Sequence, residues 1–324
     1  MAIQPYIVEQ KYDDARLDKV LMDLMEGVTF GMVQKMCRKG QIRVEGKRVK
    51  AGDRVFYGQE VRIPPFLMNA AETADDVDKT AVQPLSKEDK RLIDNSILYE
   101  DTHLVVINKP YGLPVQAGSG HSRSLDRLMV SYYGETCQPK LVHRLDKTTT
   151  GCVLFAKSRG VAAQLSASFK QRDMEKTYWA IVKGNLRQKE GKITERMLKG
   201  NVQGYEQMVM DEEGQKAETD YRHISSAGMY HWLEIKPKTG RTHQIRAHMA
   251  CIGVPIVGDV KYGGERLTTE QEDIPSNRIF LHAREIQCEA GNLGYLHFVA
   301  SLPDHFKKAF EIFDWDLAEA KVDS

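Results

Sequence analysis

The chain has 324 residues, 41% hydrophobic and 28% charged, with a formal net charge of +1. That length favours two domains with sizeable cores, that composition excludes a disordered chain, and near-neutrality means that any nucleic-acid surface must be a local patch. No apolar run approaches the roughly 20 residues that span a bilayer, and the N-terminal ten residues lack the basic and apolar segments of a secretory signal, so a cytoplasmic protein without membrane attachment is expected. Cys37, Cys137, Cys152, Cys251 and Cys288 are odd in number and never spaced Cys-x-x-Cys. This points away from disulfides and zinc and predicts packing residues.

In chain order, Leu17, Val20, Leu21 and Leu24 recur at helical spacing, Val33 and Met36 mark a second short helix, and Gly40 ends it. Strands are predicted at Gln41-Ile-Arg-Val and Val61-Arg-Ile, with turn signals at Glu45-Gly46 and Ala51-Gly-Asp. Lys35, Arg38, Lys39, Arg43, Lys47, Arg48 and Lys50 cross from the second helix into the hairpin, opposed almost only by Glu45. A charge run on one helix is ordinarily a solvated face. A run that continues onto a hairpin points instead to a phosphate-binding surface. Residues 1–66 are therefore assigned to a small α/β RNA-binding domain, and the polar, acidic stretch 67–92, which lacks apolar periodicity, to a linker.

Residues 93–324 are rich in short β runs: Leu104-Val-Val-Ile, Cys152-Val-Leu-Phe-Ala, Tyr178-Trp-Ala-Ile-Val, Trp232-Leu-Glu-Ile and Leu296-His-Phe-Val. Helices are predicted over Val161–Arg172, Thr242–Ile252 and Asp304–Trp315. Because strands and helices do not alternate regularly, the expected class is α+β, a mixed, mainly antiparallel sheet with flanking helices.

Several chemistries fail on spacing. Gly253-Val-Pro-Ile-Val-Gly258 is followed by Asp259 and Val260 where a phosphate loop needs Lys and Ser or Thr. Gly120-His-Ser-Arg-Ser lacks the second glycine of a hydrolase elbow. His243 and His248 are not spaced to share zinc on one helical face, and each is expected on a helix surface or against RNA.

The most distinctive segment is Leu141-Val-His-Arg-Leu-Asp-Lys-Thr-Thr-Thr-Gly-Cys-Val-Leu-Phe-Ala-Lys. If Val142 to Asp146 is extended, Arg144 and Asp146 share one side and His143 and Leu145 the other. From residue types alone, Asp146 capping a turn is the simpler reading. The segment nevertheless resembles the signature of the RluA family of pseudouridine synthases. Tyr99-Glu-Asp with Asn108-Lys-Pro, Lys176-Thr-Tyr, Lys238-Thr-Gly-Arg-Thr-His-Gln-Ile-Arg-Ala-His and Phe280-Leu-His-Ala extend that resemblance across the second domain. Arg16-Leu-Asp-Lys, the segment Gln34 to Val44 and Gly52-Asp53 are similar to the small RNA-binding domain found in a protein of the small ribosomal subunit.

The resemblance implies pseudouridine synthase fold and chemistry, with no cofactor and no metal. Asp146 is then the nucleophile, Arg241 the cation paired with it, and Tyr178 the ring against the target base and an aid to proton removal. Leu281 is an apolar wall, His143 another pocket residue, and Arg144 the side chain that enters the space left by a flipped-out uridine. The attached N-terminal domain, the Pro64-Pro exit and the motif spacing resemble members acting on 23S ribosomal RNA, so that RNA or a large-subunit assembly intermediate is the expected partner of a monomeric enzyme. Thr150, where serine is commoner, and the acidic linker depart from the family pattern. Rival readings are a synthase for transfer RNA or another ribosomal site, which the motifs do not separate, and a noncatalytic ribosome-assembly factor. A glycoside hydrolase would need a second matched carboxylate near Asp146, which the sequence does not offer.

Overall fold

The computed structural model describes residues 5–25, 28, 30–64, 85–116, 123–134, 137–171, 174–202, 204–267 and 278–320. The chain divides into two compact units, Met1–Gln83 and Pro84–Ser324. The first runs β1 (Tyr6–Ile7), β2 (Ala15–Arg16), α1 (Leu17–Leu24), α2 (Phe30–Lys39), β3 (Arg43–Val44), β4 (Lys47–Arg48), β5 (Arg54–Val55) and β6 (Glu60–Arg62). Strands β1-β6-β3-β4 form one sheet, and β2 pairs with β5. The helical spacing seen in the sequence is the buried face: Leu17, Val20 and Leu21 of α1 meet Val33, Met36 and Cys37 of α2 in one core. Gly40 ends α2 at φ +68°, and a Cβ there would lie 3.0 Å from the Arg48 guanidinium.

The second unit runs α3 (Lys87–Asp94), β7 (Ile97–Glu100), β8 (Leu104–Lys109), α4 (Leu125–Tyr133), β9 (Lys140–Leu141), β10 (Thr150–Ala156), α5 (Arg159–Gln171) and β11 (Met174–Lys183). It continues β12 (Glu190–Val202), β13 (Tyr205–Met210), β14 (Gln215–Ala227), β15 (Tyr230–Pro237), α6 (Gln244–Cys251), β16 (Leu281–Glu289), β17 (Tyr295–Val299) and α7 (Asp304–Phe313). Among the described residues, eleven strands make one sheet in the order β13-β12-β14-β15-β11-β16-β10-β8-β7, with β17 on β16 and β9 on β10. Within it β10 and β16 are parallel and the other pairs antiparallel. The class is α+β, as the irregular order of strands and helices predicted.

Part of the expected linker is folded. Lys87–Asp94 is helical because Ser86 is an effective N-cap, its hydroxyl accepting the Asp89 N–H at 3.0 Å, with Glu88 and Asp89 in the first turn and Ile93 buried. The earlier part of the linker, and Gly120-His-Ser, lie outside the described residues. Cys37, Cys152 and Cys288 are buried as expected, but Cys251 is exposed. It is the last residue of α6, beyond the buried run Gln244 to Met249. Among the described residues no helix is long and apolar enough to cross a membrane.

Both faces of the central strands are covered, which is why they read as unbroken apolar runs. Val105, Ile107, Val153 and Phe155 face one core, while Leu104, Val106, Cys152 and Leu154 face another beneath α5. On the first face α7 lays Phe310 over the β11 and β15 indoles, with Trp232 4.5 Å from Phe310 and 4.7 Å from Trp179 between ring centroids, while Phe306 packs on Phe280. At the parallel seam Gly151 pairs with Ala283 at φ +108°, and a Cβ there would run into the Ala283 carbonyl. Gly151→Ala is therefore expected to cost about 3 kcal/mol or more in a urea unfolding titration, whereas an unchanged midpoint would mean the seam relaxes freely.

Candidate active site

Asp146 lies in the loop between β9 and β10, not in a strand. Strand pairing with β10 ends at Leu141, after which one last backbone bond runs from the Val142 N–H to the Leu154 carbonyl at 3.2 Å, and His143 supplies the reason the ladder goes no further. Its imidazole Nε2 accepts the Leu154 N–H at 3.2 Å, taking a ladder position that a strand backbone would need. Burial, with Lys176 adding to it, pushes the His143 pKa down to about 3, so the acceptor nitrogen stays unprotonated. The expected alternation of side chains over 142–146 is accordingly lost. His143, Arg144, Leu145 and Asp146 all line the same cleft, with Leu145 buried and Arg144 exposed.

A fully buried lysine fixes the far side of this loop. Lys109 Nζ donates to the carbonyls of Pro110 (3.0 Å), Leu113 (3.0 Å) and Lys147 (3.1 Å). Burial draws its pKa down to about 7 against the pull of the Asp146 carboxylate. Three acceptors match the three donors of an ammonium, which is how a buried lysine remains tolerable. Thr149 N–H closes the turn on the Asp146 carbonyl at 3.1 Å.

The cation beside Asp146 is Arg246, and this corrects the pairing expected of Arg241. Arg246 Nη1 lies 3.6 Å from Asp146 Oδ2, while its Nε and Nη2 each make a 2.7 Å bond to Asp259. Both members of the Arg246–Asp259 pair are buried, so the guanidinium cannot swing away. Burial works against the charge on Arg246, but Asp259 and Asp146 outweigh it and raise its pKa. Arg241 is exposed on the cleft rim, where its Nε donates to the Lys216 carbonyl at 3.2 Å. The loop turns it outward because its own N–H is held by Gln244 Oε1 at 3.0 Å.

Gln244 commits its whole amide to this loop. Its oxygen also accepts from Thr239 Oγ1 at 2.7 Å, and its nitrogen donates to Glu218 O and Thr219 Oγ1, both at 2.9 Å. The loop 238–244 is thereby stitched to β14. His248 joins the same network, Nδ1 2.9 Å from Thr219 Oγ1, and is fully buried, not on the helix surface as expected. Burial pushes its pKa down to about 4. Helix α6 has no polar face to give to water: residues Gln244 to Met249 are all buried.

The cleft encloses about 390 Å³. Tyr178 and Leu281, both buried, line it with Asp146, Arg246, His243 and Lys176, so the structure brings together Asp146, Tyr178, Leu281, His143, Arg144 and Arg241 but exchanges the role given to the last. Burial, reinforced by Asp146, raises the Tyr178 pKa, so at neutral pH it presents a protonated phenol. Thr150, the departure from serine, keeps its hydroxyl in use 2.8 Å from His282 Nδ1. Among the described residues no group of His, Cys, Asp or Glu is placed to hold a metal ion.

Two residues were missed that the sequence did signal. Gln244-Ile-Arg-Ala-His-Met has no amphipathic stripe, and a helix without one is buried on all sides, Arg246 included. Lys109 follows Val105 and Ile107 at period two, on the core face.

In the N-terminal unit, Lys35, Arg38, Lys39, Lys47 and Arg48 are exposed and Arg43 is half-buried. Arg43 stands opposite Arg48 across one strand pair and Arg62 across the other, and donates to the carbonyls of Gly40 (3.2 Å) and Gly46 (3.1 Å). Like charges in register oppose folding.

Comparison with known proteins gives the family. Residues 103–251 match the RNA pseudouridylate synthase family, and residues 15–61 match the S4 domain. The chain belongs to the RNA pseudouridylate synthase family, enzymes that isomerise uridine within RNA. It is 33% identical over 316 residues to ribosomal large subunit pseudouridine synthase C of Haemophilus influenzae, covering 95% of this chain and 94% of the relative. Against the protein of the same name from Escherichia coli it is 34% identical over 275 residues, 84% of each. Among solved structures, human RNA pseudouridylate synthase domain containing 4 superposes with TM-score 0.59 at 27% identity, covering 70% of this chain and 96% of that one.

The exchange of roles is testable. Removing Arg246 alone would leave Asp259 buried and unpaired, at a cost of about 3–5 kcal/mol, so the fair variant is the pair Arg246→Gln with Asp259→Asn. Its single-turnover rate on saturating RNA is expected to fall by about 10²-fold or more, whereas Arg241→Ala should weaken RNA binding with little change in that rate. The opposite pattern would return the pairing to Arg241.

Proposed function

We propose that this enzyme converts uridines of 23S ribosomal RNA to pseudouridine, with Asp146 as nucleophile on a flipped-out base. The single observation that carries the proposal is a carboxylate set in an apolar-walled cleft beside a guanidinium locked from behind. A carboxylate enclosed with a base would drift toward its protonated, unreactive form, and a fixed neighbouring cation opposes that. Asp146 attacks the target nucleoside, the glycosidic bond breaks, and the base turns and rejoins the sugar through carbon 5. The carbon-5 proton is lost to solvent, N1, released from the sugar, takes up a proton, and the carboxylate is regenerated, so no net atom is gained and no electron acceptor is needed. Tyr178 and Leu281 take the faces of the base. Arg144, exposed at the mouth, enters the vacated stack, where a planar guanidinium can both stack and bond phosphate.

The large-subunit target is supported by the names of the bacterial relatives, which this chain matches along nearly their whole length. A ribosomal RNA substrate supports a cytoplasmic location for the enzyme. The RNA-binding domain over residues 1–66 holds RNA by phosphate contacts. Its in-register arginines make sense as an anion site, because the repulsion that folding must bear is relieved when phosphate arrives.

Incubation with 23S transcript tritiated at uridine carbon 5 is expected to release tritium with the wild-type protein and none with Asp146→Asn, which keeps nearly full RNA affinity because the missing group acts in chemistry and not in docking. Equal loss of binding and turnover would remove Asp146 from the nucleophile's role. Replacing Lys39, Lys47 and Arg48 together with Gln should flatten the salt dependence of RNA binding, by about 0.7–0.9 in log–log slope for each phosphate no longer neutralised. An unchanged slope would sink the basic-surface assignment.

A further inference from the structure

We propose that His243 reads a carbonyl oxygen of the target uracil through a hydrogen bond from Nε2–H, and that Tyr262 fixes the ring in the one neutral tautomer able to make it. This role presupposes the catalytic assignment of Asp146 and adds a base-recognising residue to it.

His243 precedes α6 in a left-handed conformation, φ 50° and ψ 22°, which is uncommon for a residue with a side chain. The strained backbone turns the imidazole into the cleft, where Nε2 lies 3.9 Å from Asp146 Oδ2. That is too far for a hydrogen bond, and among the described residues Nε2 has no other partner.

The opposite nitrogen is engaged. Nδ1 lies 2.9 Å from the Tyr262 hydroxyl, and that hydroxyl oxygen also accepts the Met208 N–H at 3.1 Å. If Nδ1 carried the proton it would give it to the hydroxyl, and the phenolic proton would then have no acceptor among the described residues. With the phenol donating to Nδ1, both ends of that contact are satisfied, the ring proton sits on Nε2, and among these groups the Nε2–H is the one donor left open to the cleft. Burial favours the uncharged ring; Asp146 opposes it, while the positive charges of Arg246 and Lys261 act in the same sense as burial. The result is a neutral donor aimed beside the nucleophile. Uracil has two carbonyl acceptors on its edge, and with Tyr178 and Leu281 on its faces that edge is what remains to be read.

The test uses the full-length protein and an RNA fragment spanning a site the wild type modifies, tritiated at carbon 5, with the target uridine carrying sulfur in place of oxygen 2 or oxygen 4. Sulfur is the poorer acceptor. Wild type is expected to slow by roughly 3- to 10-fold on one of the two thio substrates, the strength of one such hydrogen bond. His243→Ala should be slower on ordinary uridine and lose that discrimination. His243→Gln, whose amide nitrogen can reach the Nε2 position, should recover part of both, and His243→Asn should not. If wild type shows no thio effect, or His243→Ala retains it in full, or Gln and Asn behave alike, His243 is not the reader. Failure of wild type on the unmodified fragment would instead remove the underlying catalytic assignment.

Discussion

The site depends on one buried ion pair. A guanidinium is planar and has more donors than a single carboxylate can use. Asp259 takes two of them at 2.7 Å each, which sets the plane of Arg246 and leaves a third nitrogen facing Asp146. A buried pair of this kind is poor at adding stability, since desolvation offsets most of the attraction. Its role here is geometric. Asp146 gains a neighbouring cation that cannot reorient, while the charge of Arg246 is already balanced by Asp259, so Asp146 is not sequestered in a tight salt bridge.

The loops around this pair are held by groups that satisfy buried backbone. Lys109 closes on three carbonyls below the Asp146 turn, and Gln244 uses both ends of its amide to tie the 238–244 loop to β14. Loops with buried carbonyls are costly unless something donates to them. These two side chains make irregular backbone tolerable where the chemistry needs it, while the two-faced core behind β8, β10 and β11 stays rigid.

The two units use positive charge in opposite ways. Around Asp146 a buried guanidinium is matched and locked, so its field is local and weakly screened. In the N-terminal unit, solvent-facing lysines and arginines stand side by side, and Arg43, Arg48 and Arg62 meet in register. Such a surface is long-ranged and sensitive to salt, suited to gathering a polyanion. Net charge alone conceals this, because acidic residues outside the basic segment 35–50 offset its cations.

Local patterns were enough to mark the elements and the neighbourhood of Asp146. Helical spacing marked α1 and α2, apolar runs marked the central strands, and the His143-to-Asp146 segment with its companion motifs marked the family and pointed to Asp146, Tyr178 and Leu281, which line one cleft. These were legible because periodicity and short motifs are written in adjacent residues. Three things waited for the folded chain: which cation meets Asp146, why the strand stops before it, and where His243 and His248 point. Arg241 and Arg246 are equivalent as letters five residues apart; their fates differ because Gln244 turns one outward and Asp259, thirteen residues beyond the other, holds it in. His143 ends a strand by occupying a hydrogen bond of β10, an interaction across a loop that no local pattern encodes. Side-chain direction at such points is set by distant partners, and those partners become neighbours only once the chain has folded.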